Sequence, residues 1–206
     1  MWFGVDPPIY GALKTIPCRS EGGYSSLIEA HIMLKIKSPY LSSAWAVNLF
    51  SDHMSILMPP ALGDVKAILR SNTVSTRTRL RWMWELCRGV QELHRNSIIH
   101  GDIKASNVLV YGTEEAPNDL EKAKCQLSDF SLACMVGNGN TCGYVRGQLY
   151  TSTHRAPEVW EGREWDYPSD IWALGCTIYE MAFGTYIFEP NENYVIMKKG
   201  FISYHK

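Results

Sequence analysis

Several familiar signals are missing from this sequence, and each absence removes a class of protein. No apolar run is long enough to span a bilayer. The uncharged stretch Ser38 to Ser51 is short and carries Pro39, Asn48 and four serines. The amino-terminal MWFGVDPPIYG has neither a basic start nor an apolar core, so it does not read as a signal peptide. The six cysteines form no C-x-x-C pair, which removes the zinc-ribbon and thioredoxin readings and leaves reduced thiols in a cytoplasmic compartment as the expectation. There is no N-x-S/T sequon, internal repeat or low-complexity tract. The formal net charge is only −1, so neither nucleic acid nor a membrane surface is expected as a partner.

What is present is a globular chain. It has 206 residues, 46% of them hydrophobic and 20% charged, enough to bury a substantial core. Residues 9–16 read as a strand. Between Ser25 and Ile36, Leu27, Ile28, Ile32, Met33 and Ile36 share one helical face, and Pro39 follows as a stop. Residues 54–58 form a short apolar strand ended by Pro59 and Pro60. The strongest helical period covers 78–95, where Leu80, Met83, Leu86, Val90 and Leu93 recur at spacings of three and four. Strands are expected at 107–111 and in Cys125-Gln126-Leu127-Ser128-Asp129, with a polar loop between them. Residues 130–155 are rich in Gly, Asn, Thr and Ser and read as irregular. A last helix is expected from Ser169 as N-cap, with Ile171, Leu174, Ile178 and Met181 as its apolar stripe. The order is strand, helix and strand, then a mainly helical remainder containing a small hairpin, with a boundary near Pro59–Gly63.

Ordered along the chain is a series of motifs. His100-Gly101-Asp102-Ile103-Lys104-Ala105-Ser106-Asn107 resembles the protein kinase catalytic loop H-R-D-L-x-x-x-N, and Asp129-Phe130-Ser131 is similar to D-F-G. Arg155-Ala156-Pro157-Glu158 contains the A-P-E that closes an activation segment, and Ser169 to Gly175 looks like the helix that follows it. Ala12-Leu13-Lys14 resembles V-A-I-K, Glu29 stands where the helix glutamate of that family stands, and Ser38-Pro39 is placed like its His-Pro. One such match would be weak; the ordered set is not.

The resemblance to eukaryotic-type serine/threonine protein kinases implies an α+β, two-lobe fold. Residues 1–60 would form a reduced N-lobe, a small sheet with one helix, and 61–206 a mainly helical, C-terminally truncated C-lobe. It implies ATP and Mg2+ as cofactors and a protein carrying Ser or Thr as substrate. Asp102 would accept the proton of the attacking hydroxyl and Lys104 would offset charge at the γ-phosphate. Lys14 would hold the α- and β-phosphates, anchored by Glu29, while Asn107 and Asp129 would hold the metal. Met58 fits the gatekeeper, and Pro59 and Ala61 the adenine hinge, since Pro59 keeps its carbonyl and Ala61 its N–H. Thr151 would brace Lys104 and Asp102, His100 would pack under Phe130, and Asp170 would hold the catalytic-loop backbone.

The pattern also departs from that family. The glycine-rich loop is reduced to a remnant at Phe3-Gly4, which implies weak nucleotide affinity, and the final C-lobe helices are missing, so a partner chain covering that end is expected. Gly101 replaces the arginine that pairs with an activation-segment phosphate, Ser131 replaces a glycine, and Glu158 lacks its family partner arginine. Such reduction resembles the compact kinases of large DNA viruses. The departures fit a pseudokinase or binding module as an alternative. A third reading is a small-molecule phosphotransferase of the aminoglycoside or choline kind, whose H-G-D-x-x-x-x-N fits His100 to Asn107. Such enzymes lack the A-P-E and D-I-W-x-L-G segments found here. Gly137 to Asn140 imitates a phosphate loop, but no helix follows it directly.

Overall fold

The computed structural model describes residues 10–17, 23–71, 73–137, 150–163 and 165–188. Phe3-Gly4, Asn138 to Asn140 and the tail from residue 189 lie outside that set. Among the described residues, no helix is long and apolar enough to cross a membrane.

The chain opens with β1 (Ala12–Pro17), α1 (Gly23–Lys35), β2 (Ala46–Leu49) and β3 (His53–Met58). These strands make an antiparallel sheet in the order β1-β3-β2. β1 alternates half-buried and exposed residues, the period-two pattern of a sheet with one covered face. The register sets Ala12 opposite Met58 and Lys14 opposite Ile56. β2 has no strong signal of its own, with one half-buried residue in four. It forms because the buried residues of β3 need a neighbour on that side.

After Pro59 and Pro60 come β4 (Gly63–Asp64), α2 (Val65–Ser71) and α3 (Thr76–Arg95). The short α2 starts under an acidic cap: Asp64 Oδ1 accepts from Ala67 N at 2.8 Å. Ser75 caps α3, its hydroxyl accepting from Thr78 N. The buried face of α3 is built on Trp82, Leu86, Gly89, Val90 and Leu93. Leu80, expected on that face, is 60% exposed. Trp82 takes over because its indole both fills the core and donates to Ala123 O at 2.9 Å. Leu27, 55% exposed, likewise drops out of the α1 stripe, which is carried by Ile28, Ile32 and Met33.

Next come β5 (Ile98–Ile99), a 3-10 turn (Ala105–Asn107), β6 (Val108–Tyr111), β7 (Lys124–Leu127) and β8 (Cys134–Met135). β4, β6 and β7 form one small antiparallel sheet, and β5 pairs with β8. The hairpin β6–β7 and the polar loop inside it match the sequence reading. The β5–β8 pair lies partly inside the segment read as irregular, because two-residue strands carry no period. Cys134 is disulfide-bonded, so the expectation of reduced thiols holds for Cys87, Cys125 and Cys176 but not for it.

The described chain ends with α4 (Pro157–Trp160) and α5 (Tyr167–Phe183). α5 begins two residues before the expected Ser169. Asp166 is its cap, accepting from Tyr167 N, and Pro168 occupies the first turn, where a missing N–H costs nothing. Ser169 is instead fully buried and donates to Glu158 Oε1 at 2.5 Å, giving that carboxylate a partner. Ile171 faces solvent, and Ala173, Leu174, Cys176, Thr177 and Met181 carry the buried face. Gly184 ends the helix in the left-handed conformation that favours glycine.

Candidate active site

Lys14 is the centre of one half of the site. β1 carries it on a half-exposed edge, and α1 brings Glu29 within reach from the buried side. Lys14 Nζ lies 2.7 Å from Glu29 Oε1 and 2.8 Å from Asp129 Oδ1. Glu29 is 1% exposed, while Lys14 and Asp129 keep 35% and 41% of their side chains open to solvent. Burial works against the Lys14 charge, but hydrogen bonds and attraction from Asp129 and Glu29 outweigh it and hold its pKa above the ordinary lysine value. Burial likewise works against the Asp129 charge. The Lys14 ammonium and a hydrogen bond from Ser131 prevail, and the carboxyl titrates below its ordinary range. Ser131, where the family has glycine, thus adds a donor at this turn. Asp129 itself sits at φ 61°, in the left-handed region.

The other half is built on the catalytic-loop sequence. Asp102 Oδ2 meets Lys104 Nζ at 2.6 Å, and its Oδ1 accepts from both Thr151 N and Thr151 Oγ1 at 3.0 Å. Lys104 Nζ also donates to Thr151 Oγ1 at 2.9 Å. Burial favours the neutral Asp102, yet the Lys104 cation and the Thr151 donors hold its pKa below the usual carboxylate value. Asn107 Nδ2 donates to Asp102 O at 2.8 Å and to Oδ2 at 3.1 Å. That fixes the amide with its nitrogen toward Asp102.

A buried scaffold supports this loop. Asp170 Oδ2 accepts from His100 N at 2.8 Å and Oδ1 from Gly101 N at 3.1 Å. His100 stands against Phe130, ring centroids 5.5 Å apart, and its Nε2 lies 3.0 Å from Ser128 O. Gly101 adopts φ 79°, and a Cβ there would lie 2.7 Å from Leu132 O. Backbone geometry therefore excludes any larger residue at this position as the loop stands.

Lys14, Glu29, Met58, Asn107 and Asp129 line one cleft of about 280 Å³. Pro59, Ala61, Asp102 and Lys104 do not line it. The first two lie on the connector after β3, and the last two form their own cluster around Thr151, joined to the cleft through Asn107. Ala12, Met33, Leu109 and Ser128 also line the cleft. The strand period could have found one of them: Ala12 lies two residues before Lys14 on β1. Among the described residues no group of three or more His, Cys, Asp or Glu is placed to hold a metal ion. One carboxylate and one amide oxygen facing a cleft suit Mg2+, which takes few protein ligands and completes its shell with phosphates and water.

A family model described as the protein kinase domain matches residues 10–205. The chain belongs to the protein kinase family. It is 32% identical over 186 residues to the serine/threonine-protein kinase Nek3 of Mus musculus, covering 87% of this chain and 34% of that protein. It is 25% identical over 195 residues to the probable dual specificity protein kinase madd-3 of Caenorhabditis elegans, covering 88% of this chain and 22% of the relative. The chain thus spans about a third or less of the length of these relatives. A solved structure of the yeast RNA Pol II CTD kinase CTDK-1 complex contains a chain with the same fold, at TM-score 0.73 and 24% identity. The match covers 89% of this chain and 58% of that one. A mixed, kinase-like fold with a small N-terminal sheet and a mainly helical remainder is therefore shown.

Proposed function

We propose that the chain is an active protein kinase that transfers the γ-phosphate of ATP to protein Ser or Thr hydroxyls. The observation that carries this reading is the double engagement of Lys14 by Glu29 and Asp129, together with the grip of Lys104 and Thr151 on the Asp102 carboxylate. Residues 1–60 and 61–206 would act as the two lobes, with the cleft between them.

Each residue has a task set by its chemistry. Lys14 would hold the α- and β-phosphates, with Glu29 fixing its direction from the buried side. Asp129 and Asn107 would hold Mg2+, which when bound neutralises phosphate charge. Asp102, kept ionised by its neighbours, would orient the attacking hydroxyl and take its proton as the new P–O bond forms and the bond to the β-phosphate oxygen breaks. Lys104 stands beside Asp102, where it would offset charge on the transferring group. Met58, opposite Ala12, would border the adenine, with hydrogen bonds supplied by Pro59 O and Ala61 N. The Lys104–Thr151 contact supports Ser/Thr as the acceptor class, since in the family a lysine at this place accompanies that specificity.

The test is a transfer assay with Mg2+ and labelled ATP, offering a generic protein substrate and an aminoglycoside panel beside an Asp102→Asn control. Label on protein Ser or Thr that vanishes in the control is the expected result. Label on the aminoglycosides alone would make the chain a small-molecule kinase, and no label at all would make it a pseudokinase.

A further inference from the structure

Tyr150 combines features that rarely meet in one side chain. It is 2% exposed, yet its backbone sits at φ 59°, a conformation that is costly for a bulky residue. Such strain persists only where surrounding contacts over-determine it, and here they come from several directions. Tyr150 N donates to Gly101 O at 3.1 Å, and Tyr150 O accepts from Arg155 Nη2 at 2.8 Å. The ring meets Trp165 edge-on, centroids 6.0 Å apart. The hydroxyl donates to Asp170 Oδ1 at 3.0 Å.

That last bond completes a carboxylate. Asp170 Oδ2 already holds His100 N and lies 3.0 Å from His94 Nε2, and Oδ1 holds Gly101 N. With Tyr150 the fully buried carboxylate has four partners, the number its lone pairs accommodate. The residue after Tyr150 is Thr151, whose N–H and hydroxyl both end on Asp102 Oδ1. One side chain therefore ties the segment bearing Thr151 to the base of α5 and to the backbone of the loop bearing Asp102. Gly101, between them, contributes no side chain to this joint.

We infer that Tyr150 is a positioning residue: its hydroxyl, locked on Asp170, sets the backbone of Thr151 and through it the direction of the Asp102 carboxylate. The inference rests on the phosphotransfer reading for its effect on rate, but its geometric half stands independently. Tyr150→Phe removes one O–H and keeps the ring and the backbone strain.

The experiment compares wild type and Tyr150→Phe by two readouts. The first is hydrogen exchange at the Thr151 amide, followed by NMR. The second is kcat and the KM for ATP. Losing a hydrogen bond to a charged group should speed exchange at Thr151 by roughly tenfold or more while α5 keeps its protection. It should lower kcat by roughly tenfold and leave the KM for ATP unchanged. Faster exchange at Thr151 in a chain whose wild type transfers no phosphate would sink the enzymatic reading and support the brace. Unchanged exchange at Thr151 would overturn the inference whatever the activity. A general loss of protection through α5 would also overturn it, by making the hydroxyl a determinant of the fold rather than of Asp102 alone.

Discussion

Replacing Lys14 by methionine leaves Glu29 buried without its cation. Glu29 Oε1 loses its 2.7 Å partner, and Oε2, also buried, already has no hydrogen bond. Breaking a fully buried ion pair from one side costs about 3–5 kcal/mol, because the remaining charge is uncompensated. Lys14 is about one-third open to solvent, as is Asp129 to a slightly greater degree, so screening reduces the figure. We expect about 1–2 kcal/mol. The assay is a double-mutant cycle by urea unfolding with Lys14→Met, Glu29→Leu and the double variant. The double variant should recover most of the loss, since an apolar pair of similar volume needs no compensation. A Lys14→Met loss indistinguishable from zero, or a double variant no better than the single, would refute the reasoning that Glu29 depends on Lys14.

Other expectations follow from single contacts. Gly101→Arg, which restores the family residue, should destabilise the fold by more than about 1 kcal/mol in thermal unfolding, since φ 79° and the Leu132 carbonyl both oppose a side chain. Lys104→Met should raise the Asp102 pKa, read by 13C-detected carboxyl titration, because the cation is a main force holding it low. Glu121 is held down to about 2, first by the Ser75 hydroxyl and then by Thr78, against an ordinary value of 4.5. Its folded pKa is depressed, so its stabilising effect is present above pH 4.5 and is lost as pH falls toward 2. Ser75→Ala should move its titration upward and blunt the acid destabilisation over that window. The Cys176 thiol is pushed up to about 12 by burial, so iodoacetamide at pH 8 should leave it unlabelled in the folded chain and modify it after unfolding.

The parts legible in the sequence were those with a long period or a dense motif. α3 announced itself over five turns, and the set Lys14, Glu29, Asn107 and Asp129, which the motifs single out, lines one cleft. β2, β4, β5, β8 and α2 were not foreseen, because two to seven residues carry too little periodicity to stand apart from a loop. Errors at Leu27, Leu80 and Ile171 share one cause. Each sits at a spacing compatible with the apolar stripe, and only tertiary packing decides which edge of that stripe is covered. Ser169 was a sound cap by residue type, but Asp166 before Pro168 is a stronger start, and Ser169 is taken by Glu158. Tyr150 gave no signal, since its role depends on a left-handed backbone and on a carboxylate distant in sequence.

The most direct measurement is the position of the metal. With an ATP analogue and Mn2+ in place of Mg2+, paramagnetic broadening of backbone NMR signals should centre on Asn107 and Asp129, spread to Lys14, and vanish in Asp129→Asn. Broadening centred elsewhere, or unchanged by that substitution, would contradict the claim that these residues act together on one nucleotide.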